Sequence, residues 1–372
     1  MKPLGLTLQT AYADLVERCQ LAEFDREFPA NGSFSSREQS GRLYWNFNSY
    51  EDGHKRSKYV GPDSPALRER IARHGKIKAD HNERKTIIAS LARAGLPQTD
   101  AATGAVVDAL ARAGVFRLGG CLVGTVAYQA YAGLLGVVLP AAHMRTADLD
   151  VAQHYRLSIA LEDSTPPLAE VLRGADQSFR PVPHLSDKAL STAYVNDSGY
   201  RVDFLTPNRG RTEYERKPAR LPALGGVGAQ PLRFLDFLIE DAVAAALLYR
   251  SGVLVNVPRP ERFALHKLIV AVPRQHGAAK IDKDLAQAGL LIGVLAAKRA
   301  PLLRDAWAEA SDRGPKWRKA LADGAAMLPE EARTALASAT GSALGAAEAQ
   351  ARYRPGRAAR RSAAARTKRR AG

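Results

Sequence analysis

The chain has 372 residues, 46% hydrophobic and 25% charged, with a formal net charge of +16. That length and apolar share support a substantial buried core and two or three domains, and they exclude a peptide-like or disordered chain. Cys19 and Cys121 are the only cysteines, far apart and without a zinc spacing, which excludes a disulfide scaffold or a cysteine-based metal site.

The charge invites a nucleic-acid reading, but residues 352–372 alone carry nine Arg or Lys and no acid, and without them the net charge is about +7. No opening leader pattern is present, and the longest apolar runs, Ala242 to Tyr249 and Gly289 to Ala297, are too short to span a bilayer. The expected location is cytoplasmic, with no membrane partner.

Residues 7–24 set Leu8, Ala11, Leu15, Cys19 and Leu21 at helical spacing and predict an N-terminal helix. A β-hairpin follows, with aromatic and polar residues alternating from Leu43 to Phe47, a turn at Glu51-Asp52-Gly53 and a return through Lys58-Tyr59-Val60. Its return limb, His54 to Tyr59, combines basic groups with Tyr44, Trp45 and Phe47 across the turn. That composition is able to contact phosphates and stack bases, but aromatics on a two-stranded hairpin more often pack on a neighbouring domain. Ser64 to Leu96 predicts a heavily charged helix, and Asp100 to Ala113 another that leads into the core.

The short apolar run Val115 to Leu118 then meets Gly119-Gly120, and Leu122, Val123, Val126, Ala127, Ala130, Leu134 and Leu135 recur at helical spacing. This predicts strand, glycine turn, helix. Paired glycines at such a turn let backbone N–H groups approach an anion, and a helix N-terminus behind them adds partial positive charge, so phosphate is the expected guest.

Asp148 and Asp150 stand two apart and share one side of a strand whose other side carries Leu149 and Val151. Asp203 repeats the pattern between Val202 and Phe204. Carboxylates about 4 Å apart repel by roughly 4 kcal/mol per pair at an effective dielectric near 20, so three ionised ones need a counter-charge. A divalent cation supplies it. Oxygen-only ligands favour a hard ion, Mg2+ or Mn2+, and with a phosphate-facing glycine turn they describe metal-assisted phosphoryl chemistry.

At Leu118 to Thr125, Thr146 to Asp150 and Val202 to Leu205 the chain resembles the polymerase-beta-type nucleotidyltransferase superfamily, closest to uncharacterised or abortive-infection-like bacterial members. The shared pattern is a Gly-Gly turn, a helix, Asp-x-Asp on a strand and a third Asp on a neighbouring strand. The segment Gly136 to Arg145 lengthens the gap between glycines and acids beyond that of minimal members and must loop out.

The resemblance implies an α+β fold, with a small mixed sheet flanked by helices. It implies transfer of an NMP from an NTP to an acceptor with release of pyrophosphate. Asp148, Asp150 and Asp203 would be both catalytic and metal-ligating, and Gly119, Gly120, Gly124, Thr125 and Thr146 would shape the nucleotide site, with Arg145 as an alternative contact to Thr146. The acceptor stays open among tRNA, a protein hydroxyl and a small molecule. The alternative is a noncatalytic nucleic-acid-binding or toxin-antitoxin-type interaction protein that keeps the fold. That reading leaves the coincidence of three acids with a glycine turn unexplained.

Further on, Pro166 to Leu172 predicts a short helix, and Ser191 to Val195 with Gly199 to Thr206 a hairpin around Asn196-Asp197-Ser198-Gly199. Pro207 to Pro231, rich in Gly, Pro and Arg, reads as a long loop and a candidate lid. Residues 245–257 read as two strands turning at Ser251-Gly252, and a helix then starts at Pro258-Arg259-Pro260-Glu261. The resemblance implies that Lys267 on this helix contacts the triphosphate; His266 reads as a structural hydrogen-bonding residue.

Leu285 to Leu295 predicts a helix, and Pro301 to Gln350, rich in Ala, predicts a helical subdomain. The tail from Arg352 has too little apolar surface to fold and suits nonspecific, salt-sensitive nucleic-acid contact. The expected organisation is an N-terminal helix, hairpin and helical region over 1–100 and a catalytic core over 101–257. A C-terminal helical subdomain over 258–350 and a basic tail over 351–372 complete it.

Overall fold

The computed structural model describes residues 2–22, 32–39, 42–51, 54–144, 146–161, 163–184, 190–208, 217–271 and 278–341. The chain divides into two compact units, Met1–Arg259 and Pro260–Gly372. The basic tail and Arg145 lie outside the described residues.

The first unit opens with β1 (Lys2–Pro3) and α1 (Leu6–Ala22), the predicted N-terminal helix. Buried Tyr12 ties α1 to the core: its hydroxyl donates to the Ala246 carbonyl at 3.1 Å and accepts the Ala246 N–H at 3.2 Å. The predicted hairpin is β3 (Arg42–Glu51) with β4 (His54–Pro62), and β2 (Ser33–Gln39), which the sequence reading did not anticipate, adds a third antiparallel strand beside β3. Phe47 is buried there, edge-on to Phe34 and His74.

Two helices start where the predicted segments from Ser64 and Asp100 begin. Ahead of α2 (Pro65–Arg93) the Ser64 side chain accepts the Leu67 N–H, and ahead of α3 (Ala101–Arg112) Asp100 accepts the Thr103 N–H. Each side chain satisfies an amide that the first helical turn leaves without a partner.

The chain then runs through β5 (Cys121–Val123), α4 (Gly124–Leu135), β6 (Val137–Val138) and β7 (Asp148–Ala152), followed by α5 (Tyr155–Ala160), α6 (Leu168–Ala175), β8 (Arg180–Pro183), β9 (Ser191–Val195) and β10 (Arg201–Pro207). It closes with β11 (Ala219–Leu221), β12 (Val227–Leu232), α7 (Leu235–Ile239) and the antiparallel pair β13 (Val243–Leu247) and β14 (Val253–Val257).

The main sheet is mixed and has the order β11-β12-β10-β7-β5. β10 pairs in parallel with β7 along one edge; along the other its first half pairs antiparallel with β9 and its second half in parallel with β12. β8 extends the sheet beyond β9. Mixed helix and sheet agree with the expected α+β class.

Two expectations are corrected. Val115 to Leu118 is a turn, not a strand: Val115 N–H donates to the Leu110 carbonyl and Leu118 N–H to Gly114, prolonging the end of α3, and Gly114 at φ +91° redirects the chain. The strand is β5, after the glycine pair, and the helix starts at Gly124. A short apolar run carries no period that separates strand from buried turn. Second, Pro207 to Pro231 is not all loop, since β11 and all but the last residue of β12 lie within it, although residues 209–216 fall outside the described residues.

The second unit is helical: α8 (Pro260–Ala271), α9 (Ala278–Lys298), α10 (Ala300–Asp312), α11 (Pro315–Ala326) and α12 (Glu330–Thr340). α8 packs on α9 and α11 so closely that a Cβ on Gly324 would come within 2.3 Å of the Leu268 carbonyl oxygen. Pro260 and Glu261 open α8, as their preference for a first turn predicts.

Candidate active site

On β7, Leu149 and Val151 are fully buried, and on β10 so are Val202 and Phe204. The period of two therefore turns Asp148 and Asp150, and Arg201 and Asp203, to the opposite, partly open face. The parallel register sets Arg201 beside Asp148 and Asp203 beside Asp150. Four charged residues thus form a block two strands wide, three of them acids. With neighbouring strands about 4.8 Å apart, two facing carboxylates at about 5 Å repel by roughly 3 kcal/mol at an effective dielectric of 20.

The structure supplies a counter-charge that the sequence reading did not single out. Arg201 grips Asp203 with a fork: Nε donates to Oδ1 at 3.0 Å and to Oδ2 at 2.7 Å, and Nη2 donates to Oδ1 at 2.8 Å. These bonds, opposed by partial burial, hold the guanidinium proton more tightly than usual, and the charges of Asp203, Asp150 and Asp148 add to the effect. The available signal was Arg-x-Asp on an alternating strand, which places both charges on one face.

Asp148 has its own partner. The Thr146 hydroxyl donates to Asp148 Oδ1, and the Asp148 N–H returns to Thr146 Oγ1 at 3.4 Å. Tyr200, immediately before the block, is buried, and its hydroxyl donates to Thr103 Oγ1 at 3.1 Å. Burial pushes its phenol up to about 12, against the hydrogen bond to Thr103, with Asp100, Asp148 and Asp150 contributing charge.

The glycines separate into two groups. Gly119 and Gly120 belong to the turn, their N–H groups donating to the Phe116 and Val115 carbonyls at 3.0 and 2.9 Å. Buried Gln153 pins this turn through Nε2 to the Leu118 carbonyl at 2.7 Å, and Asn256 Nδ2 donates to the Phe116 and Gly120 carbonyls.

Gly124 sits at the acids. β5 delivers it there, because Val123 pairs with Asp150 in the antiparallel register of β5 and β7. Its φ is +69°, and a Cβ on it would lie 2.5 Å from Asp150 Oδ2. Only glycine satisfies both conditions without strain. Gly124 and Thr125 open α4, whose N-terminus has no side-chain cap, so its first amides and its partial positive charge are offered beside a carboxylate.

Lys267 belongs to the second unit. Its ammonium pairs with Asp284 Oδ1 at 2.6 Å, with side chains 12% and 2% exposed, and lies 5.1 Å from the centre of the Phe263 ring. These contacts neutralise its charge within the helical unit.

All-carboxylate donors on one face are the donor type a hard divalent cation takes. As they stand, however, the side chains do not close on a common point: among the described residues no three His, Cys, Asp or Glu are gathered into a metal-holding group. Asp148 is turned to Thr146 and Asp203 to Arg201. The residues fit the ion by chemistry and by face, with the Asp148 and Asp203 carboxylates turned to Thr146 and Arg201.

The model of a protein family described as Nucleotidyltransferase matches residues 101–312, more than half of the chain. The chain belongs to this nucleotidyltransferase family. The matched span runs from α3 to α10 and includes the glycine turn, the three acids and Lys267. No curated protein matches.

A crystal structure of an antigenic nucleotidyltransferase-like protein from Paracoccidioides brasiliensis is 17% identical, with 60% of this chain and 94% of that chain covered and a TM-score of 0.28. Among the described residues no helix of this nucleotidyltransferase family member is long and apolar enough to cross a membrane.

Proposed function

We propose that the protein transfers a nucleoside monophosphate from an NTP to an acceptor, with Asp148, Asp150 and Asp203 holding Mg2+ or Mn2+. One observation carries the reading: Asp203 lies in register with Asp150, and Gly124, at the uncapped end of α4, lies so near the same Asp150 carboxylate that a Cβ there would be 2.5 Å from its Oδ2. Acids and anion-binding amides therefore share one corner of the sheet. Membership of the nucleotidyltransferase family supports nucleotidyl transfer in general.

When bound, the metal would supply neutralisation of the triphosphate charge. The chain's own contributions follow from its geometry. The first amides of α4, at Gly124 and Thr125, bind a phosphate oxygen. Thr146 keeps Asp148 oriented, acting through it as a positioning residue. Asp203, facing the open side, accepts the proton of the attacking hydroxyl at a carboxylate oxygen. The acceptor oxygen bonds to the α-phosphorus as the bond from that phosphorus to the oxygen bridging to the β-phosphate breaks, and pyrophosphate leaves.

The test is incubation of the full chain with each labelled NTP, Mg2+ or Mn2+, and separate pools of tRNA, protein and small hydroxyl compounds, beside Asp148→Ala and Asp203→Ala. Transfer by the wild type, reduced at least about 100-fold in both variants as expected when several kcal/mol of charge stabilisation is removed, supports the proposal and identifies the acceptor class. Transfer that persists in Asp203→Ala sinks it.

A further inference from the structure

Arg201 is an unusual resident for a face otherwise composed of acids. It sits next to Asp148 in register, two residues before Asp203 on the same strand face, and holds both oxygens of Asp203 through three N–H···O contacts. Its side chain is 44% exposed and that of Asp203 23%, so the guanidinium can swing to solvent by side-chain rotation alone, with β10 still paired on both edges. A fork of this kind occupies the lone pairs that a metal ligand must offer.

We propose that Arg201 is a built-in counter-cation of the acid block, displaced from Asp203 when a divalent cation binds, so that it sets the metal affinity of the nucleotide-free protein. This rests on the metal-dependent reading above. It accounts for two facts together: three like charges share one face without repelling each other apart, and their carboxylates do not converge while Asp203 remains forked. The guanidinium released from Asp203 stays tethered beside the site, where an incoming triphosphate offers oxygens of the kind it has just left.

The experiment is titration of Mn2+, read by loss of the free-ion paramagnetic signal, into nucleotide-free full chain. It compares the wild type with Arg201→Gln, Arg201→Lys, Asp203→Asn and the Arg201→Gln/Asp203→Asn double variant, thermal melting confirming that each is folded. Removing a partly exposed competing ion pair is expected to tighten Mn2+ binding about fivefold in Arg201→Gln, with Arg201→Lys, which keeps the charge but not the fork, falling between. A long-range charge effect would add independently to the loss of Asp203, whereas competition at Asp203 is non-additive.

The gain is therefore expected to disappear in the double variant. Mn2+ affinity that depends on Asp203 but is unchanged or weakened in Arg201→Gln overturns the proposal and leaves the metal-dependent reading standing. Absence of Mn2+ binding in every variant overturns both.

Discussion

Replacing Gly124 with Ala tests the geometry of the acid corner at a single atom. The backbone there has φ +69°, which costs an L-residue roughly 1–2 kcal/mol. The new methyl would also land 2.5 Å from Asp150 Oδ2, close enough that the carboxylate must turn away. Gly199 provides the matched control, because its φ is +81° and a Cβ on it would meet nothing within 4 Å. Gly199→Ala should show the conformational cost alone.

Gly124→Ala should lose about the same 1–2 kcal/mol of stability, or slightly more, yet abolish nucleotidyl transfer. Gly199→Ala should lose stability and retain transfer. Urea unfolding gives the first quantity and NTP turnover the second. If Gly124→Ala keeps activity within a few fold of Gly199→Ala, Asp150 is not constrained by this contact and the construction of the site from β5, Gly124 and β7 is refuted.

Two further outcomes concern stability. Asp284→Ala should destabilise the helical unit by about 3–5 kcal/mol, because it deprives the largely buried Lys267 of a carboxylate at 2.6 Å, and a second change, Lys267→Met, should restore much of that loss; chemical denaturation followed by α-helical signal measures both. Asp63 is held down to about 2 by hydrogen bonds first from Arg68 and then from Trp45. Its folded value lies below the unfolded one, so its contribution is full above about pH 4 and is lost as pH falls through about 2. The stability difference between wild type and Asp63→Asn should accordingly be flat above about pH 4 and shrink toward pH 2.

Features set by local chemistry were legible in the sequence. The alternation of Leu149 and Val151 with acids, and of Val202 and Phe204 with Asp203, fixes strand faces over a few residues, and Ser64 and Asp100 announce helix starts by their capping oxygens. Non-local features were not. Nothing in Ala219-Arg220-Leu221 or Val227 to Leu232, poor in β-branched and aromatic residues and containing Pro231, advertises strands; they form because β10 offers β12 an open half-edge. Pro231 is tolerated since it lies beyond the part of β12 that β11 pairs.

The glycine turn failed for a related reason: Val115 to Leu118 and Cys121 to Val123 are both short and apolar. Only tertiary pairing with β7 decides which becomes the strand.

That decision also moves the chemistry. With the strand after the glycine pair, the helix that faces the acids begins at Gly124, and Gly119 and Gly120 become the hinge that delivers β5 to the edge of β7. The acid face is then framed by rigid parts: β7 is paired with β5 and β10, and β10 is paired along both edges by β7, β9 and β12. Strands so fully paired cannot shift their Cα positions without breaking several ladders at once, so the carboxylates can adjust only by side-chain rotation. The partners that hold those rotations are Thr146 for Asp148 and Arg201 for Asp203.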